Sequence, residues 1–401
     1  MQQEYRENRN DKAYVKDKKK KQSTGKLGKF IAAFVFIICG VICGYYSGRA
    51  IGRIHSGSLK EGIMGIFFLF VFLYGGMYLQ IIIHEAGHLV AGKLSGYEFI
   101  SFRIGRWMLV REKEKLKIKQ FTIKGTGGQC LMMPPAYNEG NYPSKLYNLG
   151  GFLSNIMASS LCLGIYFLVP KEMTFSLFLL IMALVGFASA LVNGLPLYIG
   201  GITNDGANVL SLSKDQEANR AFWLQLQINA MLIKGTRLRD MPKEWFEFDN
   251  EKDLTNPIVC TLGVLRANYL FDKREFDEAR SLMEMLLEKA TGLMGIHKNE
   301  LRCDLLFERI RIDSDEKEIK ELYTKELKNY IKATKSYVSR RRLLYAYELL
   351  VNKDEKAAKK QREAFEKAAK VYPYTVEIEA ERELLKSIDE KKDELDKREI
   401  E

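Results

Sequence analysis

The chain has 401 residues and a formal net charge of +11, so it is longer than one ordinary domain and strongly basic. Its mean hydropathy of -0.19 averages two unlike parts, because the residues up to about 200 contain four long apolar segments and the remainder is charged and helix-prone. The six cysteines form no CxxC pair, which argues against a disulfide framework or a zinc ribbon, and we interpret them as small buried hydrophobes.

The N-terminal segment, residues 1–28, is basic and contains four consecutive lysines, Lys18–Lys21. A nucleic-acid patch is one interpretation, but an apolar stretch, Phe30–Gly48, follows directly. A topology signal is therefore favoured, and no nucleic-acid partner is expected. The apolar stretch is long for the core of a signal peptide and further apolar segments follow it, which predicts an uncleaved membrane anchor.

The second apolar segment, Gly62–Ile83, leads directly into the motif HEAGH at His84–His88. The apolar run carries no charge and is long enough to span a bilayer. On a helix, an HExxH motif places two imidazoles one turn apart, where they can bind one zinc ion with Glu85 beside it as a general base. The same motif would also occur on the helix of a soluble metalloprotease, or by chance. The membrane context favours a functional site, because ionisable groups are costly there.

The segment that follows, residues 97–133, has a different period. Ile100, Phe102 and Ile104 alternate with polar residues, and so do Leu116 and Ile118. Alternation with a period of two indicates strands with one apolar face. We therefore expect a small antiparallel sheet at the membrane surface. Near its end, the glycine-rich residues 125–129 predict a flexible turn.

Two more apolar segments, Leu149–Val169 and Met173–Ile199, complete four predicted spans at about 30–48, 62–92, 149–169 and 173–199. In this arrangement all strongly basic segments fall on one side of the membrane, which is the cytoplasmic side by the positive-inside rule. The protein is thus expected in a bacterial cell membrane as a multi-pass protein. Its N-terminus, its strand region and its C-terminal half would all be cytoplasmic.

Residues 213–401 show helical periodicity and no catalytic pattern. Phe276 and Ala279, and likewise Phe365, Ala368 and Pro373, are spaced as in the second helix of a tetratricopeptide repeat, although no 34-residue period is clean. We expect a cytoplasmic, all-α, tetratricopeptide-like domain that could bind a soluble protein or peptide partner. The predicted helices are Gln216–Ile233, Pro257–Phe271, Glu275–Ala290, Glu300–Ile312, Glu316–Ala333, Ser339–Val351, Lys356–Val371 and Thr375–Glu401, and the end of the last one, Lys386–Glu401, is either a solvated helix or disordered.

A tetrahedral catalytic zinc site needs one more protein ligand beside two histidines. The remaining histidines, His55 and His297, do not extend the motif. Asp205 follows the fourth apolar segment, which by the expected topology ends on the same side of the membrane as His84 and His88. Asp205 could therefore be the third ligand. Two alternatives remain open, namely an ordinary Asn-Asp-Gly turn at this position and a glutamate ligand from another helix.

Three features together resemble the site-2 protease family of intramembrane zinc metalloproteases. They are HEAGH at the end of one span, Asn193-x-x-Pro196, and Asp205-Gly206 after another span. The resemblance covers about residues 62–210. It implies a zinc ion held by His84, His88 and Asp205, with Glu85 as the general base.

Two weaker likenesses concern substrate contacts. Residues 127–132 resemble a glycine-containing strand of that family, and residues 150–155 resemble the start of its middle core span. The resemblance implies substrate contacts by Asn193, Gly127 and Gly128, for which a helix cap and a simple turn are the alternatives. The stretch from Asn193 to Asp205 is longer than is usual in the family, with Ile199–Ile202 as the extra residues.

The sequence thus predicts a mainly α polytopic membrane protein with four transmembrane helices, a small membrane-associated β-sheet and a C-terminal soluble domain built like a helical repeat. Residues 29–212 would form an intramembrane zinc endopeptidase that hydrolyses peptide bonds in single-pass membrane proteins or leader peptides embedded in the lipid bilayer. The alternative is a catalytically inactive scaffold that binds a membrane partner and recruits a soluble protein through the helical domain.

Overall fold

The computed structural model describes residues 58–400 except 113–114, 124, 139, 172, 200–201, 248–253 and 313–315, together with residues 30–52 except 32, 36, 39, 43, 47 and 50. The first predicted span lies partly outside the described residues, and its described positions are helical and include an apolar stretch, Ala33–Tyr46.

Three helices of the described part are long and apolar enough to cross a membrane. Helix α1 is Leu59–Leu94, α2 is Ser144–Leu168 and α3 is Thr174–Gly194. In their most apolar windows, 67% of the α3 residues are buried, against 11% in α1 and 17% in α2. Helix α3 is therefore the inner helix of the three, while α1 and α2 expose apolar side chains, which is typical of helices that face lipid.

The fourth predicted span ends earlier than the expected Ile199. Helix α3 stops at Gly194 and Leu195 is already extended, because Pro196 disfavours a helical conformation in the residue before it. The chain then forms two short antiparallel strands, β5 (Tyr198–Ile199) and β6 (Ile202–Thr203), before helix α4, Asp205–Leu212. The extra residues of this stretch thus belong to a hairpin whose tip lies outside the described residues.

The strand region forms the predicted antiparallel sheet. Its strands are β1 (Glu98–Ile104), β2 (Trp107–Glu112), β3 (Lys115–Gln120) and β4 (Gly128–Met133), in the order β3-β2-β1-β4. The predicted flexible turn is shorter than expected, because β4 begins at Gly128 and pairs with β1 from there on. The sheet is buried on one face, where Arg103, Met108 and Val110 are all fully buried.

The C-terminal part is all-helical among its described residues, as predicted. The predicted helix Glu316–Ala333 is two helices, because Thr324 caps a new N-terminus by accepting a hydrogen bond from the Leu327 backbone. The predicted last helix is continuous to Ile400. The helices are α5 (Gln216–Lys234), α6 (Pro257–Asp272), α7 (Phe276–Lys289), α8 (Gly295–Arg311), α9 (Glu316–Leu322), α10 (Lys325–Ala333), α11 (Val338–Ala346, continued by a π turn to Val351), α12 (Glu355–Ala369) and α13 (Thr375–Ile400).

The chain divides into two compact units, and one of the boundaries, between Gln216 and Glu217, lies close to the predicted boundary near residue 213. One contains α1 to α4 with β5 and β6. The other contains the four-stranded sheet, as part of Glu98–Tyr142, together with the helices from Glu217 onward. Phe121, directly after β3, is the clearest link within the second unit: its ring lies 5.1 Å from Tyr337 and 5.4 Å from Tyr372 between ring centres. Contacts between residues more than 200 positions apart in the chain, such as these, cannot be predicted from the hydrophobic periodicity of the sequence.

Buried thiols account for part of the cysteine content. Cys130, Cys260 and Cys303 are buried and reduced, in line with their interpretation as small hydrophobes. Cys39 and Cys43 lie outside the described residues.

Candidate metal centre

Three side chains from two helices converge on one point in the unit that contains α1 to α4. The Nε2 atoms of His84 and His88 lie 3.2 Å apart, and Asp205 Oδ2 lies 3.1 Å from the first and 3.3 Å from the second. The two histidines lie on the same face of α1, and Asp205 is the first residue of α4. Asp205 Oδ2 is buried, yet it accepts no hydrogen bond from the residues that the structure describes.

The dimensions of this triangle suit a tetrahedral zinc ion. Zinc–nitrogen bonds of about 2.0–2.1 Å at tetrahedral angles separate neighbouring donor atoms by about 3.3–3.4 Å. The observed separations of 3.1–3.3 Å are close to that value. Two imidazoles and a carboxylate are also a ligand set typical of catalytic zinc. The three residues could therefore hold a zinc ion and leave a fourth position open.

The proton on His88 is located by its neighbour. His88 Nδ1 lies 2.7 Å from the backbone oxygen of Tyr147, and a carbonyl oxygen can only accept a hydrogen bond. Nδ1 must therefore carry the proton, so Nε2 of the neutral ring presents its lone pair to the triangle. This is the usual way in which a second contact fixes the tautomer of a metal-binding histidine.

A chain of two side-chain amides, Gln80 and Asn155, orients His84 in the same way. The Gln80 amide nitrogen donates to the Met182 backbone oxygen at 2.9 Å, so its Oε1 faces Asn155 and accepts from Asn155 Nδ2 at 2.7 Å. Asn155 Oδ1 then faces His84 Nδ1 at 2.8 Å and accepts its proton. Nε2 of His84 is thereby also left as a lone pair. Three acceptors thus converge on one point, an arrangement that a bound cation would stabilise.

Glycines allow α2 to approach the histidine helix closely. A Cβ atom added to Gly151 would lie 2.5 Å from both His84 Cε1 and His88 Nε2. One added to Gly87, inside the HEAGH motif, would lie 2.3 Å from the Gly150 backbone oxygen. Any side chain at these positions would push the two helices apart, because small residues are what allow helix backbones to approach this closely.

Asp205 is held in place by the residue before it. Asn204 Oδ1 accepts hydrogen bonds from the backbone nitrogens of Ala207 at 2.9 Å and Leu197 at 3.1 Å, and its amide nitrogen donates to the Val192 backbone oxygen at 2.6 Å. Asn204 therefore caps α4 and ties it to the end of α3. The Asn-Asp-Gly sequence is thus a helix start that directs Asp205 to the histidines, rather than an ordinary turn.

Glu85 and Asn193 occupy different settings. Glu85 is buried, with 8% of its surface exposed, and lies one helical turn before His88 on α1.

Asn193 lies in the last turn of α3, and its amide nitrogen donates to the Ser189 backbone oxygen at 3.0 Å within the same helix. The structure thus gives the Asn193 amide nitrogen a local partner.

Gly127 and Gly128 belong to the other compact unit. The Gly127 backbone oxygen accepts a hydrogen bond from the Gly105 backbone at 2.8 Å, and the Gly128 oxygen accepts one from Arg103 Nη2 at 3.0 Å. Both carbonyls are thus hydrogen-bonded within the sheet region, where Gly128 is the first residue of β4.

Several residues that shape the centre were not among those predicted from the sequence. Gln80 left a signal, because it is the single amide side chain in the apolar run Gly62–Ile83. The Tyr147 carbonyl left none, since backbone groups carry no sequence signature. Asn204 could have been found as a helix cap, because asparagine followed by a helix-starting aspartate is a common N-terminal pattern.

No family model matches the chain, and no curated protein and no solved structure is significantly similar to it.

Replacement of Asn155 by leucine is expected to lower zinc affinity by about 10–100-fold, the usual effect of losing a partner of a metal ligand. The variant would remove the acceptor that orients the His84 ring and the Asn155 donor to Gln80 Oε1. Zinc titration against a competing chelator measures this effect. Asn193→Leu is the matched control, since it removes an amide that bonds its own helix. Equal zinc affinity in Asn155→Leu and wild type would contradict the role of the amide chain.

Proposed function

We propose that the protein is an intramembrane zinc endopeptidase, as the resemblance to the site-2 protease family implies. The observation that carries the proposal is the triangle of His84, His88 and Asp205, whose donor separations of 3.1–3.3 Å suit zinc. Two of its three members, His84 and His88, lie on α1, a helix that is long and apolar enough to cross a membrane. His84, His88 and Asp205 would hold the ion.

The chemistry follows from the residues around the ion. A zinc ion held by these residues would supply Lewis acidity to the attacking water and to a substrate carbonyl. Glu85 accepts the proton of the attacking water and returns it to the leaving amine. The Tyr147 carbonyl and the Asn155 side chain keep both imidazoles in the tautomer that presents Nε2.

The membrane arrangement is part of the proposal. Helices α1, α2 and α3, together with the apolar stretch that includes Ala33–Tyr46, would be the four spans. The basic N-terminal segment and the C-terminal helices would be cytoplasmic by the positive-inside rule. The substrate would be the apolar helix of a single-pass membrane protein or a leader peptide, and it must unwind before attack because its peptide bonds are shielded by internal hydrogen bonds.

The sheet is the proposed holder of the unwound substrate, by addition of a strand to its edge. Its packing with the C-terminal helices supports a controlling role for them. Gln120, at the end of β3, donates its backbone N–H to the Val371 oxygen at 3.0 Å, and Phe121 packs on Tyr374 at 5.5 Å between ring centres. A soluble protein or peptide bound to the helices would thus act on the strands directly.

The test is metal-dependent cleavage in a bilayer. We expect the reconstituted protein to cut a single-pass peptide substrate, to stop when 1,10-phenanthroline removes the metal, and to recover when zinc is returned. Gel analysis of a panel of apolar helical peptides measures the products. Cleavage that is insensitive to the chelator would contradict the metal mechanism. Failure of the zinc-loaded protein to cut any peptide of the panel would favour the inactive scaffold.

A further inference from the structure

The β2–β3 hairpin exposes apolar side chains on the face of the sheet that is not buried. Trp107 is 49% exposed, Leu109 36%, Leu116 57% and Ile118 71%. The strand register puts Leu109 directly opposite Ile118 and Leu116 opposite Arg111. Because side chains alternate along a strand, all four apolar groups lie on one face. We call this set, Trp107, Leu109, Leu116 and Ile118, the outer apolar face.

The opposite face of the same hairpin is already used for packing. Met108 and Val110, which alternate with Trp107 and Leu109 along β2, are 0% exposed. The outer apolar face is therefore not the core side of the sheet. A soluble sheet with one buried face normally places polar residues on the other. Apolar side chains on the exposed face therefore indicate that this face contacts an apolar partner or environment.

The hairpin that carries this apolar face is cationic, with six cationic side chains and two carboxylates between Arg106 and Lys119. Arg111 lies on the outer apolar face itself, directly opposite Leu116. Lys115, Lys117 and Lys119 alternate with Leu116 and Ile118 and so lie on the other face, where Lys117 is ion-paired with Glu112 at 2.8 Å. Arg106 lies over the Trp107 ring, 5.0 Å from its centre. A tryptophan and aliphatic side chains bordered by cations are typical of a surface that enters the interface of an anionic membrane.

The chain length to the nearest apolar helix is short. Helix α1 ends at Leu94 and β1 begins at Glu98, so three residues separate the sheet from a helix that is long enough to span a bilayer. We propose that the outer apolar face inserts into the headgroup region of an anionic bilayer, with Trp107 at the boundary between headgroups and acyl chains. This inference rests on the membrane arrangement of the proposed function, but not on its chemistry.

Fluorescence quenching by brominated lipids tests the proposal on the full chain. The chain has three tryptophans, and Trp223 and Trp245 contact each other at 5.9 Å between ring centres on the helical side of the second unit. The protein is reconstituted in phosphatidylcholine brominated on its acyl chains, with and without phosphatidylglycerol. We expect quenching of the wild type that disappears in Trp107→Phe and persists in the matched control Trp245→Phe. The quenching should be stronger with phosphatidylglycerol.

Ile118→Trp in the Trp107→Phe background supplies a second probe on the same face, and it should restore the quenching. Unchanged quenching in Trp107→Phe would overturn the proposal. Trp107 quenched only by aqueous acrylamide would mean that the face lies in water. Trp107 protected from both quenchers would mean that a protein partner or a second copy covers it, and either result overturns lipid contact. Equal quenching in both lipid mixtures would overturn the role of the cations. Zinc content and cleavage, measured on the same samples, separate these outcomes from a failure of the proposed function.

Discussion

Glu85→Gln is expected to retain zinc and to lose cleavage by about 10²–10⁴-fold, the range that general acid–base catalysis contributes. The amide has the size of the carboxylate but cannot accept the proton of the attacking water. Zinc content should be unchanged, because the converging donor atoms belong to His84, His88 and Asp205. The measurement pairs the cleavage rate of a reconstituted peptide substrate with the metal content of the same sample.

Glu363→Gln, on the exposed side of α12, is the matched control for the loss of one carboxylate, and it should cleave at the wild-type rate. Near wild-type cleavage by Glu85→Gln would remove Glu85 from the mechanism. Loss of zinc from that variant would instead show that the carboxylate is needed to assemble the site.

Gly151→Ala is expected to abolish both high-affinity zinc binding and cleavage, although it adds a single methyl group. The new Cβ would lie 2.5 Å from His88 Nε2 and 2.6 Å from His84 Nε2, much closer than atoms in contact can approach. The rings cannot move aside without losing their bonds to the Tyr147 carbonyl and Asn155. Zinc titration and the cleavage assay should therefore change together, with a loss of affinity of at least about 10–100-fold.

Gly164→Ala is the matched control on the same helix. Among the described residues, no atom other than those of its chain neighbours and its own helix backbone lies within 4 Å of a Cβ added there, so the substitution should leave zinc affinity and cleavage unchanged. It should slightly favour the helix, since alanine has the higher helix propensity by about 1 kcal/mol. Wild-type zinc affinity in Gly151→Ala would contradict the close contact of α2 with the histidines.

Local patterns in the sequence were enough to predict much of the candidate site. The HEAGH spacing places His84 and His88 on one helical face, and the apolar run before it extends the same helix. Period-two alternation predicted the sheet because strand burial is a local property. Asp205 needed an argument from topology, and the structure places it 3.1 Å from His84.

Long-range packing could not be predicted in this way. The composition of the chain changes near residue 213, close to the unit boundary at Gln216/Glu217, but it does not reveal that the sheet packs with helices some 250 residues further along the chain, as Phe121 does with Tyr372 and Tyr374. The prediction of one continuous helix over Glu316–Ala333 was wrong for a local reason, since Thr324 caps the start of a second helix there. The orienting bond to His88 comes from a backbone oxygen, which any residue at position 147 would supply.

The most direct test of the central claim is the metal content of the purified full-length protein. Elemental analysis of the wild type in detergent should find one zinc ion per chain. His84→Ala, His88→Ala and Asp205→Ala should each lower the occupancy, because each removes one of the three converging donors. Folded wild-type protein that stays free of metal in the presence of zinc, or full zinc occupancy in Asp205→Ala, would contradict the His-His-Asp centre on which the proposed peptidase depends.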